Sequence, residues 1–372
     1  MKMLLGSLMS KSATQLGAAA IKSALGKSGV NQIDEVIMGC VLQAGLGQAP
    51  ARQAALFAGL DHSTPCTTVN KVCASGMKAI MLSATTLSQG LQTIMVAGGM
   101  ESISNSPFYL RREALSYGGV RLQDACHFDA LTDVYSNWHM GKCAEHTAKT
   151  MNITREEQDD YSQLSLKRLQ DARLQGVYDQ EISELQLGDD EKSSSEVNSD
   201  EKIEIMNPFS FKPEEPTPWG ETITRASASK LADGAAACVL TNTTGLAKYE
   251  LKPQAKIIGF MDSAQNPVEW PTSPAVGIKK LLEKLSLHIN DVALWEINEA
   301  FALVVLANAR LLDLNLNKVN VNGGAIGMGH PFGMSGARIT NHLVHQLKEG
   351  EIGIASLCNG GGGASTIAIQ RV

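Results

Sequence analysis

Cys73 stands in a segment of small residues that suits a catalytic nucleophile. The stretch 70–78 (NKVCASGMK) predicts a β-strand that gives way to a helix at this thiol. Backbone N–H groups and the positive end of a helix favour a thiolate there, and the small residues that follow leave room for a bulky acyl group. A buried structural cysteine at a strand end is the alternative. The pattern favours an activated nucleophile.

His330 is held between glycines and a proline, ahead of a predicted helix. Its segment, 322–338 (NGGAIGMGHPFGMSGAR), would let the backbone approach a ligand closely and would fix the imidazole. Glycine-rich loops also bind phosphates, but neither a G-x-x-x-x-G-K-[ST] loop nor a clean dinucleotide fingerprint is present. We therefore interpret His330 as a functional imidazole rather than as part of a nucleotide site.

Two further segments place polar groups at the ends of predicted strands. Cys358 follows an apolar strand at 352–357 and precedes four glycines, which would expose backbone N–H groups beside a potential acid–base thiol. A tight structural turn would not require four consecutive glycines. Asn298, in the stretch 295–302 (WEINEAFA), lies between a predicted strand and an apolar helix, where capping that helix is its alternative role.

The composition excludes several classes of protein. The chain has 372 residues and a formal charge of −6, which argues against a general nucleic-acid-binding protein. Its hydrophobic content of 44% suffices for a large core, yet no apolar run reaches the roughly 18 residues needed to span a bilayer. The seven cysteines include no C-x-x-C pair, so neither a disulfide framework nor a zinc site is expected. We expect no nucleic-acid, membrane or metal partner.

Strands alternate with helices on both sides of an interruption, which predicts an α/β fold with largely parallel sheets. The string NKV at 70–72 recurs at 317–319, and the strand and glycines at 95–99 have a counterpart at 355–363. We therefore infer an internal duplication. Duplicated α/β halves place a site at their junction, near the carboxyl ends of strands.

The interruption is interpreted as an inserted loop domain. It contains a serine- and acid-rich stretch at 189–202 and a proline-rich stretch at 207–220. The chain is accordingly divided into an N-terminal half (1–104 and 226–248), the loop domain (105–225) and a C-terminal half (249–372).

Six strings, taken in order, make the chain similar to the thiolase family over nearly its whole length. They are NKVCASGMKAI, VAGGMES, HMGKCAE, NEAFA, GGAIGMGHPFGMSGAR and CNGGGGAS. The chain most resembles the biosynthetic, mitochondrial members. The resemblance implies a thiolase fold of two duplicated βαβαβαββ halves with an inserted loop domain. It also implies acetyl-CoA C-acetyltransferase activity, in which two acetyl-CoA condense reversibly to acetoacetyl-CoA and CoA by a ping-pong mechanism.

The resemblance assigns the catalytic roles to five positions. Cys73 is expected to carry the acyl group, and His330 to activate it. Cys358 is expected to move the α-proton of the second acetyl-CoA. Asn298 should hold a water that completes an oxyanion hole with His330, and the N–H groups of Cys73 and Gly360 should form a second hole.

The resemblance also implies the ligands and the setting. We expect acyl-CoA substrates, no required cofactor, a homodimer or homotetramer, and a mitochondrial location, with a cytoplasmic one left open because no import signal is visible. The pantetheine-contacting positions correspond to Leu131, His139, Met140, Ser229, Ala300 and Phe301.

The chain departs from the family at several points. The first strand of the family, ahead of Leu4, is expected to be missing here. Mitochondrial members bind potassium through a loop and a tyrosine; the loop reads TRASAS at 224–229 here and the tyrosine position is Ile203. A potassium ion stays possible, but we expect Arg225 to supply a fixed cation in its place. The indole of Trp270 is expected to narrow the pocket for a 2-methyl branch.

Three alternatives stay open. A 3-ketoacyl-CoA thiolase of broader chain length is disfavoured by the HMG string, which accompanies short-chain specificity in the family. A decarboxylating ketoacyl synthase shares the scaffold but has a second histidine where Cys358 stands. A truncated, catalytically impaired thiolase-like subunit is favoured by the missing strand and disfavoured by the intact Cys73, His330 and Cys358.

Overall fold

Two mixed β-sheets lie at the centre of the molecule, and helices pack against them. The computed structural model describes residues 2–112, 117–186, 196–197 and 217–372. The α/β class predicted from the alternation of strands and helices is confirmed.

The strands are numbered in chain order. They are β1 (Lys2–Met3), β2 (Glu35–Gly39), β3 (Cys66–Val69), β4 (Ile94–Glu101), β5 (Phe108–Tyr109), β6 (Gln123–Asp124), β7 (Thr132–Asp133), β8 (Trp138–His139), β9 (Leu185–Gln186), β10 (Glu196–Val197), β11 (Ala232–Thr241), β12 (Ala255–Ala264), β13 (Val292–Ile297), β14 (Ile352–Asn359) and β15 (Gly363–Arg371).

The α-helices are numbered in the same way. They are α1 (Ala13–Ser28), α2 (Pro50–Phe57), α3 (Ser75–Ser88), α4 (Ala125–Asp129), α5 (Met140–Met151), α6 (Arg155–Leu174), α7 (Thr243–Lys248), α8 (Ser273–Leu285), α9 (Ala302–Leu312), α10 (Ala325–Met328) and α11 (Phe332–Gln346). Three short 3-10 helices cover Pro267–Thr272, Ile289–Asp291 and Leu316–Lys318.

The two large sheets repeat one strand order. In the first sheet the order is β3-β2-β4-β11, with β2 parallel to both neighbours and β11 antiparallel to β4. In the second sheet β13 is parallel to β14, β14 is antiparallel to β15, and β15 is antiparallel to β12. In the second half, a parallel bridge between Trp295 and Val319 corresponds to the pairing of β3 with β2 in the first half. The shared topology confirms the internal duplication.

The outer edges of β11 and β15 differ between the halves. In the second half β12 pairs with β15 from Ala255 to Ala264. In the first half, among the described residues, only the two residues of β1 pair with the corresponding edge of β11, opposite Asp233 and Ala232. A groove of about 1500 Å³ runs along the rest of this edge, between β11, α1 and α11. The strand expected to be missing would pair at this edge, which among the described residues holds only β1.

Helices α3 and α11 pack against each other and contact strands of both sheets. A β carbon on Gly76 would lie 2.6 Å from the carbonyl oxygen of Gly333, and one on Gly99 would lie 1.9 Å from the same oxygen. Glycine at these positions is what permits the close approach. Because α3 begins two residues after Cys73 and α11 begins two residues after His330, this packing brings both segments to one junction.

Residues 105–225 contribute short hairpins and helices α4 to α6 rather than strands of the large sheets, so far as they are described. Most of the serine- and acid-rich stretch at 189–202, most of the proline-rich stretch at 207–220, and Ile203 lie outside the described residues. In the described part of the chain, no helix combines the length and apolar character that a membrane span requires.

Candidate active site

Cys73 lies in a tight turn between β3 and α3, as the sequence predicts. Val72, directly before it, has φ +49°, a left-handed conformation that is strained for a β-branched residue. The Ser75 hydroxyl accepts from the Lys71 N–H at 2.8 Å and donates to the Val72 carbonyl at 2.6 Å, while the Val72 N–H donates to Asn70 Oδ1 at 2.9 Å. These bonds hold the strained turn in one shape.

The thiol of Cys73 is a protonated group at neutral pH. Burial raises its pKa to about 12, although hydrogen bonds from its own backbone N–H and from the Gly360 N–H lower it. The backbone N–H groups therefore favour the thiolate, as expected, but burial outweighs them. A base has to take the proton as the thiol reacts. The two N–H groups expected to form the second oxyanion hole are thus both directed at the Cys73 thiol, and their role as that hole stays a prediction.

His330 can act as that base because it is neutral. Burial lowers its pKa to about 4. Its Nδ1 lies 2.6 Å from the hydroxyl of Ser335, and that hydroxyl donates to the Pro331 carbonyl at 3.0 Å. We therefore assign the hydrogen to Nδ1, which leaves a lone pair on Nε2. The backbone N–H of His330 donates to the Lys230 carbonyl at 2.8 Å, which fixes the residue from its other side.

Asn298 follows the end of β13 and meets His330 directly. Its side-chain amide nitrogen lies 3.5 Å from Nε2 of the imidazole, and both groups are buried. The Asn298 backbone N–H donates to the Ser356 carbonyl at 3.1 Å, so β14 holds it in place. The amide is directed at the imidazole rather than at a helix end. This geometry suits the expected shared oxyanion hole more than it suits helix capping.

Cys358 is buried at the carboxyl end of β14. Burial raises the pKa of its thiol well above the usual range, the charge of the neighbouring Cys73 raises it further, and its own backbone N–H lowers it. The influence of Cys73 on this pKa indicates that the two thiols face the same site. The expected catalytic residues thus form two groups. One contains Cys73, Gly360 and Cys358, and the other contains His330 and Asn298.

The six expected pantetheine positions form two groups. In the first, the Met140 N–H donates to the Leu131 carbonyl at 2.9 Å, and His139 Nδ1 accepts the Gly141 N–H at 3.0 Å to cap α5. The Met140 sulfur would lie 3.9 Å from a β carbon on Gly360, so this group borders the thiols.

The second group lies where the chain leaves Asn298. The N–H of Ser229 donates to the Ala300 carbonyl at 3.0 Å, and Phe301 forms an antiparallel bridge with Ala228. Both groups therefore approach the catalytic positions, and their contacts with coenzyme A stay predictions.

Trp219 is one residue that sequence reasoning missed. Its ring stacks in parallel on the imidazole of His139 with centroids 4.2 Å apart. Burial and, secondarily, the neighbouring His127 lower the pKa of His139 to about 4, so the stacked ring is neutral. Trp219 lies in the proline-rich stretch, where no pattern indicated a role.

Two buried carboxylates were also missed. Glu101, at the end of β4, accepts the N–H groups of Val41, Leu42 and Gly333. Glu299 accepts from four groups, which are the hydroxyls of Tyr161 and Ser165, the N–H of Ile326 and the side-chain amide of Asn320. An acidic residue at the end of an apolar strand was the signal that could have found them. Among the described residues, no three His, Cys, Asp or Glu side chains are grouped so as to hold a metal ion.

Two family models cover almost the whole chain. The thiolase N-terminal domain matches residues 1–244, and the thiolase C-terminal domain matches residues 251–371. The chain belongs to the thiolase family. The thiolase fold that the sequence resemblance implied is confirmed by the structure of Acat5 thiolase from Ascaris suum in complex with coenzyme A. That structure has a TM-score of 0.93 and 40% sequence identity, and the match covers 100% of this chain and 97% of that chain.

Curated thiolases show the same relationship at the sequence level. The mitochondrial acetyl-CoA acetyltransferase of Mus musculus is 50% identical over 99% of this chain and 88% of its own length. The mitochondrial acetyl-CoA acetyltransferase of Homo sapiens is 48% identical over 99% of this chain and 87% of its own length.

Proposed function

We propose that this thiolase is an acetyl-CoA C-acetyltransferase, which condenses two acetyl-CoA to acetoacetyl-CoA and CoA and catalyses the reverse thiolysis. The observation that carries the proposal is the Cys73 sulfur, which receives the Gly360 N–H beside a second buried thiol, Cys358. A donor, a nucleophile and a second acid–base group at one point fit acyl transfer followed by carbon–carbon bond formation. The names of the curated relatives and the coenzyme A in the Ascaris suum structure support the substrate class.

In the first half-reaction the Cys73 sulfur attacks the thioester carbonyl. Its proton passes to Nε2 of His330, and the departing CoA thiolate takes the proton of Cys358, so an imidazolium and a Cys358 thiolate remain. The N–H groups of Cys73 and Gly360 are positioned for the oxyanion. The acetyl group remains on Cys73.

In the second half-reaction the thiolate of Cys358 takes the α-proton of a second acetyl-CoA. Asn298 and His330 stabilise the enolate oxygen. The enolate carbon attacks the acetyl group on Cys73, and the released Cys73 thiolate recovers its proton from the His330 imidazolium. Cys73, His330 and Cys358 thereby return to their starting protonation states.

We propose that Leu131, His139, Met140, Ser229, Ala300 and Phe301 line the pantetheine path. The assignment is supported by Met140, which borders Gly360, and by Ala300, whose N–H donates to the Asn298 carbonyl at 3.0 Å. A homodimer or homotetramer and a mitochondrial location also belong to the proposal, the latter because the curated relatives are named mitochondrial.

The division into 1–104 with 226–248, 105–225 and 249–372 stays part of the proposal. It is supported by β11, which follows the loop region yet pairs with β4 of the first sheet. The second sheet begins with β12, at residue 255.

The loop at 224–229 contains a fixed cation that would make potassium unnecessary. The residue that supplies it differs from the one expected. Arg225, expected to supply a fixed cation, has an exposed side chain. The ammonium group of Lys230 instead donates a hydrogen bond to the Arg225 carbonyl. We therefore assign the fixed cation of this loop to Lys230.

The direct experiment is acetoacetyl-CoA thiolysis by the purified chain, followed at the enolate absorbance, with Cys73→Ala as the control. Activity that is lost in the control supports the proposal. A folded, monodisperse protein without activity would contradict it and favour an impaired thiolase-like subunit. Faster thiolysis of long-chain 3-ketoacyl-CoA substrates would favour the broader 3-ketoacyl-CoA thiolase.

A further inference from the structure

The side chain of Lys71 spans the junction between the two halves. Its ammonium group donates to Asp262 Oδ1 at 2.7 Å, to the Ser365 hydroxyl at 2.8 Å and to the Ala364 carbonyl at 3.0 Å. Three acceptors match the three N–H donors of an ammonium group. Lys71 belongs to the first half, whereas β12 and β15, which carry the acceptors, belong to the second. A flexible side chain is thus held at both ends.

Each end of this side chain lies next to a reactive thiol. Lys71 precedes Cys73 by two residues, within the strained turn. At the other end, Ala364 is the residue that pairs with Cys358 across the β14–β15 hairpin. The contact therefore connects the backbone beside one thiol to the cross-strand partner of the other.

The local hydrogen bonds of the turn do not provide this connection. They join residues within 70–75 and fix the shape of the turn, but not its position relative to β14. The causes of the Cys73 pKa shift are burial, two backbone N–H groups and the charge of Glu101. Lys71 is not among them, and its ammonium group bonds to the second half rather than to the sulfur, so we argue its role from geometry.

Asp262 is the anchor of the contact, and it also binds a second lysine. Its Oδ2 accepts from Lys78 at 2.6 Å, and its Oδ1 accepts from the Ser365 hydroxyl at 2.6 Å. Burial raises its pKa, but the bonds from Lys71, Lys78 and Ser365 outweigh burial and lower it to about 2. Lys78 makes the same ion pair from the first turn of α3 without touching the β14–β15 hairpin through Ala364.

We propose that Lys71 is a positioning residue that fixes the separation of the Cys73 and Cys358 sulfur atoms across the two halves. The proposal rests on the proposed function, in which the two thiols act in successive steps. The bond-forming step of acylation requires Cys73 and the donors beside it. Condensation additionally requires Cys358 at the correct distance. Loss of the Lys71 contact therefore slows condensation much more than acylation.

The test compares Lys71→Met with Lys78→Met as the matched control, and with Lys71→Arg for conservative rescue. Acylation of Cys73 by acetyl-CoA and the condensation rate are measured separately. The yield of a Cys73–Cys358 bridge formed by a short bifunctional thiol reagent is measured by peptide mass spectrometry. For Lys71→Met we expect condensation and bridging to fall by about 10²-fold, while acylation and KM change by less than about threefold. Lys78→Met should change all four quantities by less than about threefold. Lys71→Arg keeps the charge but not the compact ammonium group, so it should recover part of the loss.

Two outcomes would contradict the proposed role of Lys71. Bridging and condensation close to wild type in Lys71→Met would overturn the proposal. An equal loss of acylation and condensation would also overturn it, because it would indicate a general structural role. If Lys71→Met does not fold, Asp262→Asn, which keeps the shape of the anchor, takes its place with the same expected split. Bridging needs no turnover, so an inactive wild-type enzyme would refute the proposed function and still leave the role of Lys71 decided.

Discussion

Glu101 accepts a hydrogen bond from the backbone N–H of Gly333 at 2.8 Å and so joins the end of β4 to the start of α11. Its carboxylate also accepts the N–H groups of Val41 and Leu42. This side chain therefore connects the end of β4 to two other segments of the junction. Gly333 lies three residues after His330. This carboxylate therefore supports the loop that carries the proposed base.

The first prediction concerns the pH dependence that Glu101 contributes to stability. Burial raises its pKa from the ordinary value of 4.5 to about 7. The folded state therefore holds this proton where the unfolded state has lost it, and the associated stability decreases as pH rises from the unfolded pKa through about 7. In Glu101→Gln this decrease disappears.

Thermal unfolding at a series of pH values tests the point. The difference in melting temperature between wild type and Glu101→Gln should change across this window and be constant above it. If the difference in melting temperature is the same at every pH, Glu101 has the same charge in the folded and unfolded states.

The second prediction concerns the ionisation of Cys73. Because burial raises the pKa of its thiol to about 12, alkylation of Cys73 by iodoacetamide should accelerate about tenfold for each unit of pH up to about pH 9. A resting thiolate would instead give a plateau near neutral pH. Alkylation is quantified on the Cys73 peptide by mass spectrometry, with Cys358→Ala used to exclude crossover from the second thiol.

The third prediction concerns the imidazole tautomer. Ser335→Ala removes the hydroxyl that accepts from Nδ1 of His330 at 2.6 Å. The loss of one buried hydrogen bond, about 1 kcal/mol, and of the preferred tautomer should lower kcat by about tenfold or more. KM for acetoacetyl-CoA should remain unchanged, since Ser335 lies behind the ring. Thr340→Ala, which removes another buried hydroxyl of α11, is the control and should leave kcat near wild type. An unchanged kcat in Ser335→Ala would contradict the assigned tautomer.

The fourth prediction concerns the acyl pocket beside Trp270. The indole is buried and lies with its ring centroid 6.0 Å from that of Phe301, a proposed pantetheine contact. The Trp270→Phe variant replaces the indole with a smaller ring and so enlarges the pocket. We therefore expect the thiolysis rate of 2-methylacetoacetyl-CoA to rise relative to that of acetoacetyl-CoA. The ratio of kcat/KM values measures the effect. Comparable rates on both substrates in the wild type would refute a narrowed pocket.

How far the sequence could predict the site is clear from individual residues. Cys73, His330 and Cys358 were recognisable because each stands among small residues or glycines beside the end of a predicted strand or the start of a predicted helix. Their convergence was predictable from the duplication, which places strand ends of both halves at one junction.

Other features depend on contacts that no local pattern records. Lys71 meets Asp262 across 191 positions of the chain, and Glu101 meets Gly333 across 232. The protonated state of Cys73 was also hidden, because burial outweighs the backbone N–H groups that the local motif reveals. The identity of the cation at the 224–229 loop depended on which of two basic side chains bonds to the loop backbone.

The fifth prediction concerns that cation. The ammonium group of Lys230 donates to the Arg225 carbonyl, while the Lys230 carbonyl accepts the N–H of His330 at 2.8 Å. A fixed positive charge already occupies the loop, so activity should be the same in potassium and in sodium salts. Lys230→Ala removes the charge and leaves space for an ion. Its activity should fall and then recover on addition of potassium or ammonium ions.

Arg225→Ala is the matched control, because its side chain is exposed and its charge is not used in the loop. This variant should respond to neither ion, and its kcat should stay within about threefold of wild type. Sodium at equal ionic strength separates a specific ion from general screening. Strong activation of the wild type by potassium would show that Lys230 leaves the loop without a sufficient cation. Recovery of Lys230→Ala by potassium alone would instead show that the loop selects by size as well as by charge.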